Sequence, residues 1–360
     1  MWFKNRDIEI IKKKVISNLH GYVLPHAGTK YTGKILSETL RFRPKKKFEN
    51  ILIVYLPANF KENVIYNKKK YYHEYFVVYM TLKKVFGEKN YIGYNLNKKN
   101  NTDISNLNKN NTLFVISSDF SHYLSFNRAI EIENCGAISM MHKVYNTRCS
   151  DFVDHKRSFK FISNLLPETV LQWIGRTRSP GKSGVGYLSF LIRDKPKPNK
   201  TKPDAFFITA YDKTMKEREC LGNLDGWSRK KEKILKKKVI NLAKTTSRLT
   251  NGMHLEVPIT NYTITYLYES RNKKFIRGWH AIKYKALYLP DVFLKHTHSN
   301  GDWITNSDNI WKFGKFNMKQ TYKKLHIKSR KYNKTVKNKE KKQLYYSEVD
   351  HHRIKAFIGD

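Results

Sequence analysis

Apolar positions fall in two rhythms along the chain. Through the first half they come as short continuous runs: "GYVL" (21–24), "ILIVYL" (51–56), "TLFVIS" (112–117), "TVLQWI" (169–174) and "GYLSFLI" (186–192). Unbroken runs of this length predict strands buried on both faces of a sheet. Between them "YTGKILSETL" (31–40) and "NRAIEIENCGAISMMHKVY" (127–145) carry helical periodicity. Strands alternating with helices predict an α/β layer fold.

The second half reads differently. "AFFITAYD" (205–212) is a strand followed by a turn. "WSRKKEKILKKKVINLAKTTSRLTNG" (227–252) is a basic amphipathic helix with Ile234, Leu235, Val239, Leu242 and Ala243 on one face and a stop signal at Asn251-Gly252. "NYTITYLYES" (261–270) and "WHAIKYKALYLP" (279–290) alternate like half-exposed antiparallel strands, and "QLYYSEV" (343–349) reads as a last strand. Segregated strands and helices predict an α+β domain. The boundary is "RDKPKPNKTKPD" (193–204), with three prolines, four lysines and no apolar residue. The expected domains are 1–194 and 203–350, with a linker at 195–202 and a tail at 351–360. "NLNKKNNTDISNLNKNN" (95–111) reads as a surface loop.

Composition adds charge to this picture. Lys and Arg number 70 against 30 Asp and Glu, a formal net charge of +40. Such a surface suits nucleic acid or another acidic partner. The chain is also rich in Lys, Asn, Ile and Tyr, the residues of A/T-rich codons, which accounts for the charge without any partner. No apolar run reaches about 18 residues, so no membrane span is expected. The start, "MWFKNRDIEIIKKKV", lacks the apolar core of a signal peptide, so an intracellular, cytoplasmic protein is expected. Three cysteines argue against a disulfide framework and suit a reducing compartment.

Polar residues cluster at one kind of place. His26 follows the run 21–24, Asn59 follows 51–56, Asp119 and His122 follow 112–117, and Ser179 follows 169–174. Open α/β sheets bind ligands at the carboxyl ends of their strands. An Asp beside two histidines there is a workable proton-transfer or metal-ligand set. The plainer alternative makes His26 a loop residue and has Ser118 or Asp119 cap a helix. "GRTRSPGKSG" (175–184) is no phosphate loop: five residues separate its first Gly from Gly-Lys-Ser where four are needed, and a strand follows. Cys135 falls in a helical pattern and reads as core; Cys149 and Cys220 read as turn residues with no neighbouring His.

These residues carry a resemblance. "LPHAGTKYTG", "VISSDFSHYLSF", "NTRC" and "SGVGYLSFLI" resemble the motifs of the Memo family over residues 15–192. That family's fold is similar to extradiol dioxygenases, and its members are reported to bind iron or copper through two His and a Cys. The resemblance implies His26 as the first ligand. The other two fall near Asn59 and Ser179, neither of which replaces imidazole or thiolate well. "FFITAYDKTMKERECLGNL", "IRGWHAIKYKALYLPDV" and "QLYYSEV" resemble the AMMECR domain family over residues 203–349. That family has no established activity. Glu219 and Ala281 stand where it has glycines, and Cys220 and His280 are its candidates for a facing pair.

Three functions follow as expectations. The first is a non-enzymatic binding or scaffold protein with a degenerate metal site, an unidentified protein partner and no cofactor. The second is a metal-dependent redox or dioxygenase-like enzyme using His26, Asp119 and His122, with or without Cys149, and holding iron or copper. The third is lysine-driven binding of nucleic acid through helix 229–244 and the tail.

Overall fold

A computed structural model describes residues 2–57, 63–98, 103–145, 148–180, 183–195, 202–212, 217–245, 258–269, 280–284, 286–289, 303–305, 311–313 and 343–353. The chain is a mixed α/β protein that divides into two compact units. One comprises Met1–Asn146, Ser150–Lys195 and Lys295–Asn317, and the other comprises Thr147–Cys149, Pro196–Leu294 and Met318–Asp360. The expected second domain runs from 203 to 350 unbroken, whereas Lys295–Asn317 groups with the first unit. The described residues of that segment are the strand pair Trp303–Thr305 and Trp311–Phe313.

The first unit contains, in chain order, β1 (Lys14–Ile16), β2 (Leu19–Leu24), α1 (Thr29–Leu40), β3 (Phe42–Pro44), β4 (Asn50–Tyr55), β5 (Asn63–Tyr66), β6 (Lys69–Tyr72), α2 (His73–Phe86), β7 (Asn90–Asn95), β8 (Thr112–Ser117), α3 (Phe126–Met141), α4 (Lys156–Leu165), β9 (Thr169–Arg178) and β10 (Gly186–Asp194). Six strands make one sheet in the order β7-β4-β8-β2-β10-β9. The first four are parallel, and β10 and β9 complete the sheet antiparallel. All five predicted strands lie in this sheet.

Their unbroken apolar character has a direct cause. Leu19, Ile51, Ile53, Leu113, Val115 and Leu191 pack with Leu36 and Leu40 of α1 and Val78 and Leu82 of α2. Their alternates along the strands, such as Val23, Leu52, Phe114 and Phe190, are buried as well, and α3 and α4 pack against β8, β9 and β10. A residue facing either way meets a helix, so these strands stay mostly apolar, and a polar member such as Ser189 is buried with its hydroxyl donated to the Val23 carbonyl. Helix α2 and edge strand β7 have no counterpart in the sequence-based expectations. In α2 tyrosines carry the pattern, which blurs the apolar stripe.

The second unit has a six-stranded sheet with β11 (Ala205–Asp212), β12 (Glu217–Asn223), α5 (Arg229–Thr245), β13 (Ile259–Glu269), β14 (His280–Tyr284), β15 (Ala286–Tyr288) and, last in the chain, β18 (Gln343–Arg353). Numbers β16 and β17 belong to the strand pair at 303–313. The order is β12-β11-β13-β18-β14-β15. Helix α5 buries Val239 and Ala243 against Phe206, Ile208, Ala210, Tyr262 and Ile264. The helix predicted to run to 252 is described to Thr245; its stop signal lies outside the described residues.

Two cysteine expectations change. Cys135 is disulfide-bonded, not a reduced core thiol. Cys220 is a free thiol in mid-strand β12, paired across to Thr209, not at a turn. Three strands separate β12 from β14, which sets Cys220 and His280 on strands roughly 19 Å apart at the usual spacing. They do not form the facing pair.

Candidate functional site

Strands β2 and β8 are neighbours and parallel, with Leu24 level with Ser117. Their carboxyl ends therefore deliver His26 and Asp119 to one spot. Asp119 is no helix cap, because residues 118–125 are not helical and α3 begins at Phe126. Its Oδ1 accepts the His26 backbone N–H at 2.9 Å, and its Oδ2 lies 3.7 Å from His26 Nε2. Both residues are 3% exposed.

Two residues absent from the expectations complete the cluster. Asp154 and His155 end the connection into α4, with His155 in the N-cap position. The His155 N–H donates to Ser118 Oγ and its Nδ1 lies 2.6 Å from the Ser117 carbonyl oxygen. Asp154 Oδ2 sits 3.1 Å from His155 Nε2 and 3.4 Å from His26 Nε2. The rings of His26 and His155 stack with centroids 4.9 Å apart. One ligating atom from each of His26, Asp154 and His155 falls within 4.8 Å of the others.

Hydrogen bonding fixes which nitrogen each ring presents. Ser117 Oγ donates its single proton to the Glu74 carbonyl at 2.5 Å, so toward His26 it can only accept. His26 Nδ1, 3.1 Å away, is thus the protonated nitrogen, and Nε2 turns toward Asp154. His155 Nδ1 meets a carbonyl and must also be the donor, which leaves its Nε2 lone pair facing a carboxylate oxygen. Two lone-pair carriers at 3.1 Å repel unless a cation lies between them.

Charge follows the same geometry. Burial lowers the His26 pKa, but the carboxylates of Asp119 and Asp154 outweigh it and hold the imidazole up at about 9. Burial pushes His155 down to about 4, against the pull of Asp154. Burial would raise Asp154, yet its hydrogen bond to His26 and the charge of the surrounding histidines hold it below the usual carboxylate range. Without a metal, a proton on His26 is the cation that this cluster retains.

The cluster lies against a cavity of about 780 Å³ in the first unit, lined by His26, Asp119 and Asp154 as well as His122, His73 and Glu74. Trp2 stacks on His73 at 4.5 Å, and His73 meets the edge of His26 at 5.4 Å. His122 Nδ1 bonds the Phe120 carbonyl at 3.0 Å, so Nε2 is its available nitrogen. Among the described residues that line it, none is Lys or Arg, in a chain of net charge +40. A pocket with three carboxylates and, among its described lining, no Lys or Arg favours a positive ligand.

The predicted residues divide accordingly. His26, Asp119, His122 and Ser179 line one cavity. Ser179 is not placed as a ligand: its hydroxyl accepts the Val185 N–H at 2.7 Å, tying the β9–β10 turn. Asn59 lies outside the described residues, as does the Cys149 side chain, whose backbone is in a short 3-10 turn at Arg148–Phe152. Cys220 belongs to the other unit. The missed pair had one signal, an adjacent Asp-His directly before the amphipathic stretch "KRSFKFISNL". No helix among the described residues is long and apolar enough to cross a membrane. No family model and no curated protein sequence matches the chain.

Proposed function

We propose that the first unit is a metal-dependent enzyme that holds a divalent first-row ion with His26, Asp154 and His155. One observation carries this reading: two imidazole Nε2 atoms, oriented by Nδ1–H bonds, converge on Asp154 Oδ2 at 3.4 and 3.1 Å. Separations near 3 Å suit adjacent ligands on one ion with bonds of about 2.1 Å. Two histidines and one carboxylate with open positions are the donor set of non-haem iron, and they also suit manganese or zinc. The ligand set differs from the two His and one Cys implied by the Memo resemblance, and only His26 is shared. Membership in the Memo and AMMECR families stays part of the proposal, supported by the motifs and by the P-H-A-G turn at the end of a parallel strand.

A bound ion would supply a Lewis-acidic or redox centre open to the cavity. The chain's own groups do the rest. Asp119 anchors the His26 backbone and adds negative charge beside the ion. His122 offers Nε2 as a proton acceptor to a bound substrate. Trp2 and His73 form a stacked wall against which a planar group can lie.

Metal analysis of the purified chain tests this. The expected result is one iron, manganese or zinc per chain, lost in Asp154→Asn and His155→Ala and kept in His122→Ala. A chain that takes up no metal stoichiometrically from any of the three, or an Asp154→Asn variant that keeps it, overturns the reading and favours a scaffold role.

A further inference from the structure

Helix α5, in the second unit, carries eight basic residues in the 17-residue sequence RKKEKILKKKVINLAKT and one acid. Its acid is turned inward: Glu232 Oε2 accepts Trp227 Nε1 at 2.6 Å and the Tyr266 hydroxyl at 3.0 Å. Lys236 lies over the Tyr262 ring and Lys231 donates to the Asp225 carbonyl. Lys230, Lys233, Lys237 and Lys244 are exposed and stand on one outward stripe, where turns of about 100° per residue place them within roughly 60° of one another. Among the described residues, no carboxylate pairs with any of them.

Like charges three and four residues apart cost a helix a few tenths of a kcal/mol each. An ordinary solvated face interleaves acids to relieve this; α5 does not. We propose that this stripe binds the phosphate backbone of nucleic acid without reading its bases. The stripe spans about 21 Å, over which one strand of a duplex presents roughly six phosphates. Lysine supplies point charges, while base edges are read chiefly by planar or amide groups. A membrane surface is the weaker fit. Interfacial helices offer an apolar face to the lipid, and the apolar face of α5 is already spent on Phe206, Ile208 and Tyr262. Only Ile234 and Leu242 remain exposed on it.

The test is fluorescence anisotropy of the full chain with a labelled duplex of about 20 base pairs, between about 50 and 200 mM salt. Changing Lys230, Lys233, Lys237 and Lys244 together to Gln keeps helix propensity. It is expected to lower the magnitude of the log–log salt slope by about 3.6 and to weaken binding at least about 100-fold near 100 mM salt. The matching Lys→Arg set is expected to bind like the parent. A control set, Lys12, Lys13, Lys69 and Lys70 to Gln, is exposed in the first unit and is expected to leave the slope nearly unchanged. Equal losses from both Gln sets would mean diffuse charge and overturn the proposal. So would absence of duplex binding by the parent. Loss of binding to phosphatidylserine vesicles with duplex binding intact would assign the helix to a membrane instead, and also overturns it.

Discussion

His26 Nδ1 lies 3.1 Å from Ser117 Oγ, across 91 residues of chain, and this contact decides which nitrogen of His26 turns toward Asp154. The serine proton is committed to the Glu74 carbonyl, so the hydroxyl cannot donate to the ring as well. The chain Glu74–Ser117–His26 holds one tautomer, the one that leaves Nε2 for an ion.

Ser117→Ala is therefore expected to weaken metal binding about 10- to 100-fold, the usual cost of losing an orienting partner. Stability should fall by only about 1 kcal/mol. Competition against a chelator measures the first and urea unfolding the second. Unchanged affinity would mean that the ring needs no orientation by serine.

Glu133 sits 2% exposed between two buried guanidiniums, with Arg176 and Arg178 each 3.5 Å away, and Ser121 Oγ donates to it. Burial raises its pKa, and the two arginines only partly offset that. Glu133→Gln leaves two buried cations without a carboxylate. Unfolding in urea is expected to lose about 3–5 kcal/mol. A loss below about 1 kcal/mol would show that neighbours or water replace the carboxylate.

Gly21 lies in the middle of β2, where an added Cβ would collide with the Phe114 carbonyl oxygen of β8. The clashing atom is backbone within a sheet, so it cannot swing aside. Gly21→Ala is expected to cost about 3 kcal/mol or more and to lower soluble yield. A variant with a parental melting temperature would refute the close β2–β8 approach that brings His26 beside Ser117.

Lys46 is half-buried, and its ammonium bonds the carbonyls of Lys109 and Thr112. Burial lowers its pKa from 10.5 to about 8, with Asp194 pulling the other way. Between those values the unfolded chain holds the extra proton, so this lysine makes stability rise with pH from about 8 to 10.5. NMR of reductively methylated protein should show one lysine titrating near 8. Loss of that signal in Lys46→Arg assigns it.

Much of the fold was legible because burial leaves local marks. The runs at 21–24, 51–56, 112–117, 169–174 and 186–192 are mostly apolar since helices cover both faces of their sheet, and each is a strand; polar members such as Ser117 and Ser189 are buried with their hydroxyls bonded to backbone carbonyls. Helix α2 was not legible, since its buried Phe76, Val77, Val78 and Leu82 alternate with Tyr75 and Tyr79, which stack on one another. Among the site residues, His26 and Asp119 stood out by following strands. Asp154 and His155 follow none; they reach the site because α4 starts beside the end of β8.

The sequence by itself determined the alternation of strand and helix, the Pro- and Lys-rich boundary near 195, the basic face of α5 and the strand ends as the place for chemistry. Each of these is written in neighbours a few residues apart, where periodicity and turn residues act. Only the tertiary structure decided that Asp154 and His155 join His26, that Ser179 serves a turn, that Cys220 and His280 stand on distant strands, and which nitrogen each histidine presents. Those outcomes depend on strand order and on hydrogen bonds between residues tens to more than a hundred positions apart, and no local pattern encodes such distances.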